Sequence, residues 1–472
     1  MKNFKKILCI TSSWIISTVL QAREKPNILF IIVDDLRPEL GCYDSPQVQT
    51  PNIDQLAQSG TLFANAYCNV PVSGASRASL LTGIYPNFQL KRFVDAETYA
   101  QKDTPLATPL PLTFKNYGYY TISNGKVFHH ATDFTRCWNE TPWIVSPASG
   151  DWAVYNKWNV WKDVQSEKEL NPKTHRGPYC EAANAPDSIY EDYQIAKKTI
   201  ADLQRLKKNN QPFFLAVGFR RPHLPFVAPK KYWDLYKRED IKMADNRFRS
   251  EKLPKQVQSS REIFQYTHTD NVQSDSFHRE ARHAYYACVS FIDAQIGLLL
   301  DELEKLHLSE NTVVVLVGDH GWHLGEHGFW GKHTLMNNST RAPMIVRVPG
   351  QKTGIAQGIV EFVDIYPFLC DVCNVTAPTG IQGTSFLPMI KNPQKRIKPC
   401  AFIQWGKGIN VVNEQYSYAQ WMDKDQHVIG EMLFDHHTDE KENQNVIGKT
   451  KYQKQIEYFK SQLNYFKTNV LK

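Results

Sequence analysis

Beyond residue 22 the chain offers no apolar run long enough to cross a bilayer, so no later segment reads as a membrane span. Charge imbalance is also scarce: 55 Lys and Arg against 48 Asp and Glu give a formal +7. Three of those positive charges, Lys2, Lys5 and Lys6, sit in an N-terminal leader without acids, and losing it leaves +4. So small a surplus on a large chain does not point to nucleic acid, although it is compatible with an anionic substrate. Cysteines are few and irregularly spaced. Cys42, Cys68, Cys137, Cys180, Cys288, Cys370, Cys373 and Cys400 follow the leader, and only Cys370 and Cys373 are close. That pair has no further ligands nearby, so a zinc site is not supported. An exported chain could bridge some of the eight, but they read as mostly structural.

The leader itself runs from basic residues into the apolar stretch Ile7 to Leu20, and ends Gln21-Ala22 with a small residue where a signal peptidase cuts. Residues 1–22 are therefore expected to be a cleaved signal peptide, with the mature protein periplasmic or secreted. No cysteine stands just after the leader, which argues against a lipid anchor. At 472 residues the chain exceeds what one core supports, so a large domain over 23–392 and a smaller C-terminal one over 393–472 are expected. Aromatics make up 12% of the chain. They suit a carbohydrate-facing surface or, more plainly, an aromatic-rich core.

Four apolar runs share one property. Asn27 to Val33, Gly118 to Ile122, Phe213 to Phe219 and Thr312 to Val317 read as buried parallel strands, and each is followed by polar, titratable residues. Asp34 and Asp35 follow the first, and Lys126, His129 and His130 the second. His223 follows the third in a proline-rich loop, and Asp319 and His320 follow the fourth, with Lys332 shortly after. In an open α/β sheet, ligands collect beyond the carboxyl ends of the strands. Met344 to Val348 reads as a further strand. Thr50-Pro51 starts a helix over Asn52 to Ser59, and others are expected over 187–207, 283–308 and 363–373. Between Ala131 and Tyr190 little periodicity is visible, as in a lid or insertion. After about Pro393 the pattern turns to short strands, Ala401 to Trp405 and Tyr416 to Trp421. A polar stretch, Glu431 to Asn445, and a final helix, Tyr452 to Phe466, follow.

The segment Val70-Pro-Val-Ser-Gly-Ala-Ser-Arg-Ala-Ser-Leu-Leu-Thr-Gly83 carries the expected chemistry. Ser73 ends an extended run, Gly74 and Ala75 leave the backbone accessible, and Gly83 closes a short helix in the C′ position. A helix N-terminus attracts an anion, and Arg77 adds a planar cationic fork. The same letters also describe a serine-rich helix cap. Asp34, Asp35, Asp319 and His320 offer mostly hard oxygen ligands, which favours calcium or magnesium over zinc and leaves some room for manganese. Arg77, Lys126, His129, His223 and Lys332 supply donors for a tetrahedral anion and its leaving oxygen. Taken singly, such histidines are more often scaffold and such lysines solvated.

Ser73-Gly-Ala-Ser-Arg77 with Leu81-Thr-Gly83 resembles the signature of the type I, formylglycine-dependent sulfatases. Val33-Asp-Asp-Leu-Arg-Pro38, Asn124-Gly-Lys-Val-Phe-His129, Pro222-His-Leu-Pro-Phe226 and Asp319-His-Gly-Trp322 extend the resemblance, closest to iduronate-2-sulfatase and its bacterial relatives. The resemblance implies an alkaline-phosphatase-like α/β sandwich, with a large, mostly parallel sheet between helices and a small C-terminal domain bearing an antiparallel sheet. It further implies calcium held by Asp34, Asp35, Asp319 and His320, with Ser73 completing the metal site. Ser73 would be converted to formylglycine by a serine-type maturase. Arg77 and Lys126 would stabilise that residue, His129 assist its turnover, Lys332 contact the sulfate, and His223 protonate the leaving oxygen. Hydrated formylglycine carries two hydroxyls on one carbon, one to attack sulfur and one to expel sulfate by re-forming the aldehyde, an exit that a serine sulfate ester lacks. The expected substrate is a sulfated saccharide, from glycosaminoglycan or algal polysaccharide, cleaved from its end; the sugar and the ester position stay open. Two other readings compete: a phosphomonoesterase or phosphodiesterase of the alkaline-phosphatase superfamily using unmodified Ser73, and a catalytically silent glycan-binding protein. Glu326, in Leu324-Gly-Glu-His-Gly328, is expected to be loop structure only.

Overall fold

The computed structural model describes residues 25–145, 170–209 and 211–471. The leader lies outside these residues, as does part of the aperiodic stretch after Ala131. Seven strands form the main sheet: β1 (Asn27–Val33), β2 (Thr61–Tyr67), β3 (Tyr120–Gly125), β4 (Phe213–Phe219), β5 (Thr312–Gly318), β6 (Met344–Arg347) and β7 (Gly354–Glu361). Their order is β7-β2-β6-β5-β1-β4-β3. β1 pairs in parallel with both β4 and β5, β3 with β4, and β2 with β7. Only β6 is reversed, antiparallel to β5 and β2. β2 and β7 lay outside the sequence expectation because both mix polar letters into the run, and the outer residues of β7 are exposed.

β1 shows why the centre of this sheet is apolar throughout. Leu29, Ile31 and Val33 face one core cluster, while Ile28, Phe30 and Ile32 face the other, all with no exposed surface. Helices cover both sides. α1 (Pro51–Gln58), α3 (Glu191–Asn209) and α4 (Asp275–Lys305) pack on the first face, and α2 (Ser73–Thr82) and α5 (Ile365–Val372) on the second. α4 begins eight residues before the expected His283, because the Ser274 side chain accepts a hydrogen bond from Phe277 N and caps the helix there.

Beyond the main sheet, β8 (Ala401–Trp405), β9 (Gly408–Val412), β10 (Tyr416–Met422) and β11 (Val428–Asp435) form an antiparallel sheet in chain order. The sequence pattern does not mark β9, and the first part of the expected polar stretch, Glu431 to Asp435, is instead the inner end of β11. One face of this sheet packs Ile409, Val411, Tyr418 and Leu433 on Ile456, Phe459 and Leu463 of α6 (Gln453–Tyr465). The other packs Ile403, Ala419, Met432 and Phe434 against Tyr67, Leu335 and Ile359 of the main body. All eight described cysteines are unpaired. No helix among the described residues is long and apolar enough to cross a membrane.

Candidate active site

Adjacent strand ends bring the predicted residues together. Val33 and Gly318 are paired, so Asp34–Asp35 and Asp319–His320 leave the sheet side by side. Asp319 N donates to Val33 O at 3.1 Å, and Asp35 N donates to Asp319 Oδ1 at 3.0 Å. Asp35 sits in the left-handed region, φ 57°, uncommon for a residue with a side chain. Tyr285, reaching over from α4, pins it there: its hydroxyl donates to Asp35 O at 2.8 Å and accepts from Arg37 N at 3.0 Å. One strand further along, Lys126 N donates to Gly218 O at 2.9 Å. A Cβ on Gly218 would lie 1.9 Å from Lys126 O, so this approach requires glycine.

Ser73 is the first residue of α2, behind an extended Val72, and the whole helix is buried. Gly74 lets the covering loop descend onto it, since a Cβ there would meet Ala96 O at 2.3 Å. Ser73 Oγ donates to Asp34 Oδ1 at 2.8 Å and stands 3.0 Å from His320 Nε2. His320 Nδ1 lies 2.9 Å from Gly321 O, which can only accept, so the proton is on Nδ1 and the Nε2 lone pair faces Ser73 and the carboxylates. Arg77 closes the floor. Its Nε reaches Asp319 Oδ2 at 2.9 Å and its Nη2 is 3.7 Å from Asp34 Oδ1, while Nη1 donates to the carbonyls of Lys126 and Val127. Lys126 Nζ pairs with Asp34 Oδ2. Lys332 Nζ pairs with Asp35 Oδ1 at 2.8 Å, and His223 Nε2 lies 3.8 Å from Asp35 Oδ2.

The electrostatics separate these groups. Burial pushes Asp35 well up, with Asp34 adding to it against Lys332, and burial and Asp34 likewise raise Asp319. Burial also opposes the charge on Asp34, yet Lys126, His223 and Arg77 together hold it well below the usual range. Burial keeps His320 and His129 neutral, reinforced by Lys332 in the first case and Lys126 in the second. His223 is lowered to about 4 by burial, with a neighbouring Glu262 pulling it back up. His129 clusters with His130 and Glu97.

Residues 26–375 match the family described as Sulfatase. The chain belongs to the sulfatase family. Residues 325–469 also match the description N-sulphoglucosamine sulphohydrolase, C-terminal. Iduronate 2-sulfatase of Mus musculus is 36% identical over 410 residues, covering 77% of this chain and 72% of that protein. A sulfatase of Formosa agariphila is 31% identical over 457 residues, covering 93% of this chain and 86% of that protein. In fold, the protein is similar to a phosphonate monoester hydrolase from Silicibacter pomeroyi, with a TM-score of 0.75 at 20% identity over 94% of this chain and 96% of that one. The sulfatase is a sulfuric ester hydrolase with the alkaline-phosphatase-like fold.

Its residues fit the metal that the family implies. Ligand atoms of Asp34, Asp35, Asp319 and His320, all buried, lie within 4.8 Å of one another. Asp35 Oδ2 is buried without a hydrogen bond, and the His320 lone pair points inward. Three buried carboxylates and one imidazole make a site for a hard divalent cation. A cleft of about 940 Å³ lies elsewhere, lined by residues including Arg37, Arg282, Asn337, Arg341 and Lys441. Glu326 also faces it, bridging Arg37 and Arg282 at 3.1 Å each, which agrees with a structural role. One residue escaped the sequence reading. Glu262 Oε1 lies 3.2 Å from His223 Nε2, and Oε2 lies 3.5 Å from Lys332 Nζ. It comes from a charged, loop-rich segment in which no local pattern distinguishes it.

Proposed function

We propose that this sulfatase is exported and removes sulfate from a sulfated saccharide, acting from a chain end, with Ser73 matured to formylglycine and calcium in the carboxylate cluster. One observation carries the reading: Ser73 Oγ, at the start of α2, lies within hydrogen-bond reach of both Asp34 and His320, inside a ring of Arg77, Lys126, Lys332 and His223. A phosphatase serine would share the fold, but the Ser-Gly-Ala-Ser-Arg context and the two sulfatase relatives favour sulfate. The name of the mouse relative favours a uronate-containing glycan as the substrate class.

The residues divide the work. Asp34 accepts the hydrogen bond of the nucleophilic oxygen and is placed to take its proton. Arg77, tied to Asp34, Asp319 and two backbone carbonyls, fixes the start of α2 against the strand ends. Lys126 and Lys332 present ammonium groups to the sulfate oxygens, where buried positive charge stabilises charge developing in the transition state. His223 Nδ1 donates to Leu224 O at 2.7 Å, which leaves Nε2 directed at the leaving oxygen. Asp34, Asp35, Asp319 and His320 would hold calcium, which would supply positive charge for a substrate oxyanion beside the nucleophile. Formylglycine supplies the second hydroxyl through which sulfate is expelled. Residues 23–392 form the catalytic domain in this reading, and 393–472 the small C-terminal one.

Protein from a host with a serine-type maturase should yield a Ser73 peptide lighter by two hydrogens, and should release sulfate from members of a panel of sulfated disaccharides. An unmodified Ser73 in fully active protein, or turnover of phosphate esters alone, would overturn the reading. Activity confined to aryl sulfates would remove the saccharide assignment and leave the rest.

A further inference from the structure

The Glu262 carboxylate sits where an anion-binding site has least reason for one. Besides His223 and Lys332, Arg176 approaches it, with Nη1 at 4.0 Å from Oε1. The carboxylate is mostly buried, its side chain 17% exposed, and Lys332 and His223 hold it at about 2 against the effect of burial. Its loop is tied to the backbone of the lysine it faces: Ser260 N donates to Lys332 O at 2.6 Å, and Lys332 N donates to Ser260 Oγ at 3.2 Å. A chance surface ion pair needs one cation and no such anchoring. Here the carboxylate gathers His223 and Lys332, the side chains proposed above to serve the leaving oxygen and the sulfate.

From this geometry we infer that Glu262 is a positioning residue for leaving-group departure, aiming His223 Nε2 at the ester oxygen bonded to the sugar while it holds Lys332 Nζ toward the sulfate. The inference rests on the reading of His223 as proton donor. As the S–O bond to the sugar breaks, its electron pair stays on the sugar oxygen. His223 in its imidazolium form gives its Nε2 proton to that oxygen and keeps the Nδ1 proton on Leu224 O, leaving the free alcohol and neutral imidazole. An alkoxide from a sugar needs that proton, whereas a nitrophenolate leaves without it. A residue that acts by aiming the proton donor therefore matters most for the poorer leaving group, and general acid catalysis is worth about 10²–10⁴-fold when intact.

The test compares kcat for a sulfated disaccharide and for 4-nitrophenyl sulfate, in matured wild-type enzyme and in Glu262→Gln. The substitution preserves shape and removes the charge. The expected loss on the sugar ester exceeds the loss on the aryl ester at least tenfold. Glu262→Asp, which keeps the charge but draws it back, should show the same bias at smaller size. Equal losses on both esters, or no loss on either, would overturn the inference, since a merely structural residue does not discriminate between leaving groups. Wild-type protein that cleaves neither ester would sink the sulfatase chemistry and this assignment with it.

Discussion

Arg77→Lys isolates geometry from charge at the floor of the site. Arg77 is completely buried and uses its whole fork: Nε on Asp319 Oδ2, Nη2 near Asp34 Oδ1, and Nη1 on the carbonyls of Lys126 and Val127. A lysine keeps the positive charge and one contact, to Asp319 or to Asp34, but cannot span the rest. The Lys126 and Val127 carbonyls then lose this donor in a buried site. An acceptor stranded in that way costs about 1–3 kcal/mol, so the pair gives a loss of about 2 kcal/mol at the low end of that range. Each kcal/mol lowers the melting temperature of a chain of a couple of hundred residues by about 2–4 °C, and of a longer chain by less, so a fall of about two degrees or more is expected in calorimetry. Because the same carbonyls fix Lys126 relative to α2, sulfate release should also fall by roughly 10²-fold, the size of effect a misplaced catalytic group produces. A variant melting within a degree of wild type and retaining more than a third of its turnover would refute the argument that the fork sets the site.

Chelation should abolish sulfate release and added calcium restore it, because three buried carboxylates share one pocket with an anionic ester; stoichiometric zinc on metal analysis would contradict the ligand assignment. Asp319→Asn should weaken calcium binding at least tenfold in calorimetric titration. Glu326→Gln should leave calcium binding near wild type while lowering stability by about 1–3 kcal/mol, since Arg37 and Arg282 lose one carboxylate partner but keep Glu39. Asp293 accepts from Ile53 N, Asn52 N and the Asn52 amide at the start of α1, and burial lifts it to about 6. A raised native value means that its stabilising contribution is complete below the ordinary aspartate range and disappears as pH rises through about 6, a change of about 3 kcal/mol. Melting curves of wild type and Asp293→Asn between pH 4 and 8 should therefore shift in favour of the variant with rising pH, and a pH-independent difference would contradict the assignment.

The sequence by itself determined the central strands and the edge on which the chemistry lies. Asn27 to Val33, Phe213 to Phe219 and Thr312 to Val317 are apolar at every or nearly every position because both faces of β1, β4 and β5 are covered, and burial on two faces is a local, readable pattern. The polar residues after each strand were legible for the same reason: an abrupt change from apolar to titratable letters marks the strand end. Strands covered on one face, or lying at a sheet edge, left a weaker trace. β7 and β11, the edge strands of their sheets, were missed or misread accordingly, whereas β2 and β9 lie inside their sheets and escaped because polar residues or glycine interrupt their short runs. That β6 runs against its neighbours, and that β2 and β7 complete the sheet, depends on pairings between segments up to about 300 residues apart, which no window of sequence contains. Glu262 shows the same limit at the site. Its loop carries acids and bases throughout, and only the folded chain brings this one against His223 and Lys332, 39 residues before it and 70 after. Periodicity along a chain records how deeply each face is buried, whereas the contacts of a single charge are set by long-range closure.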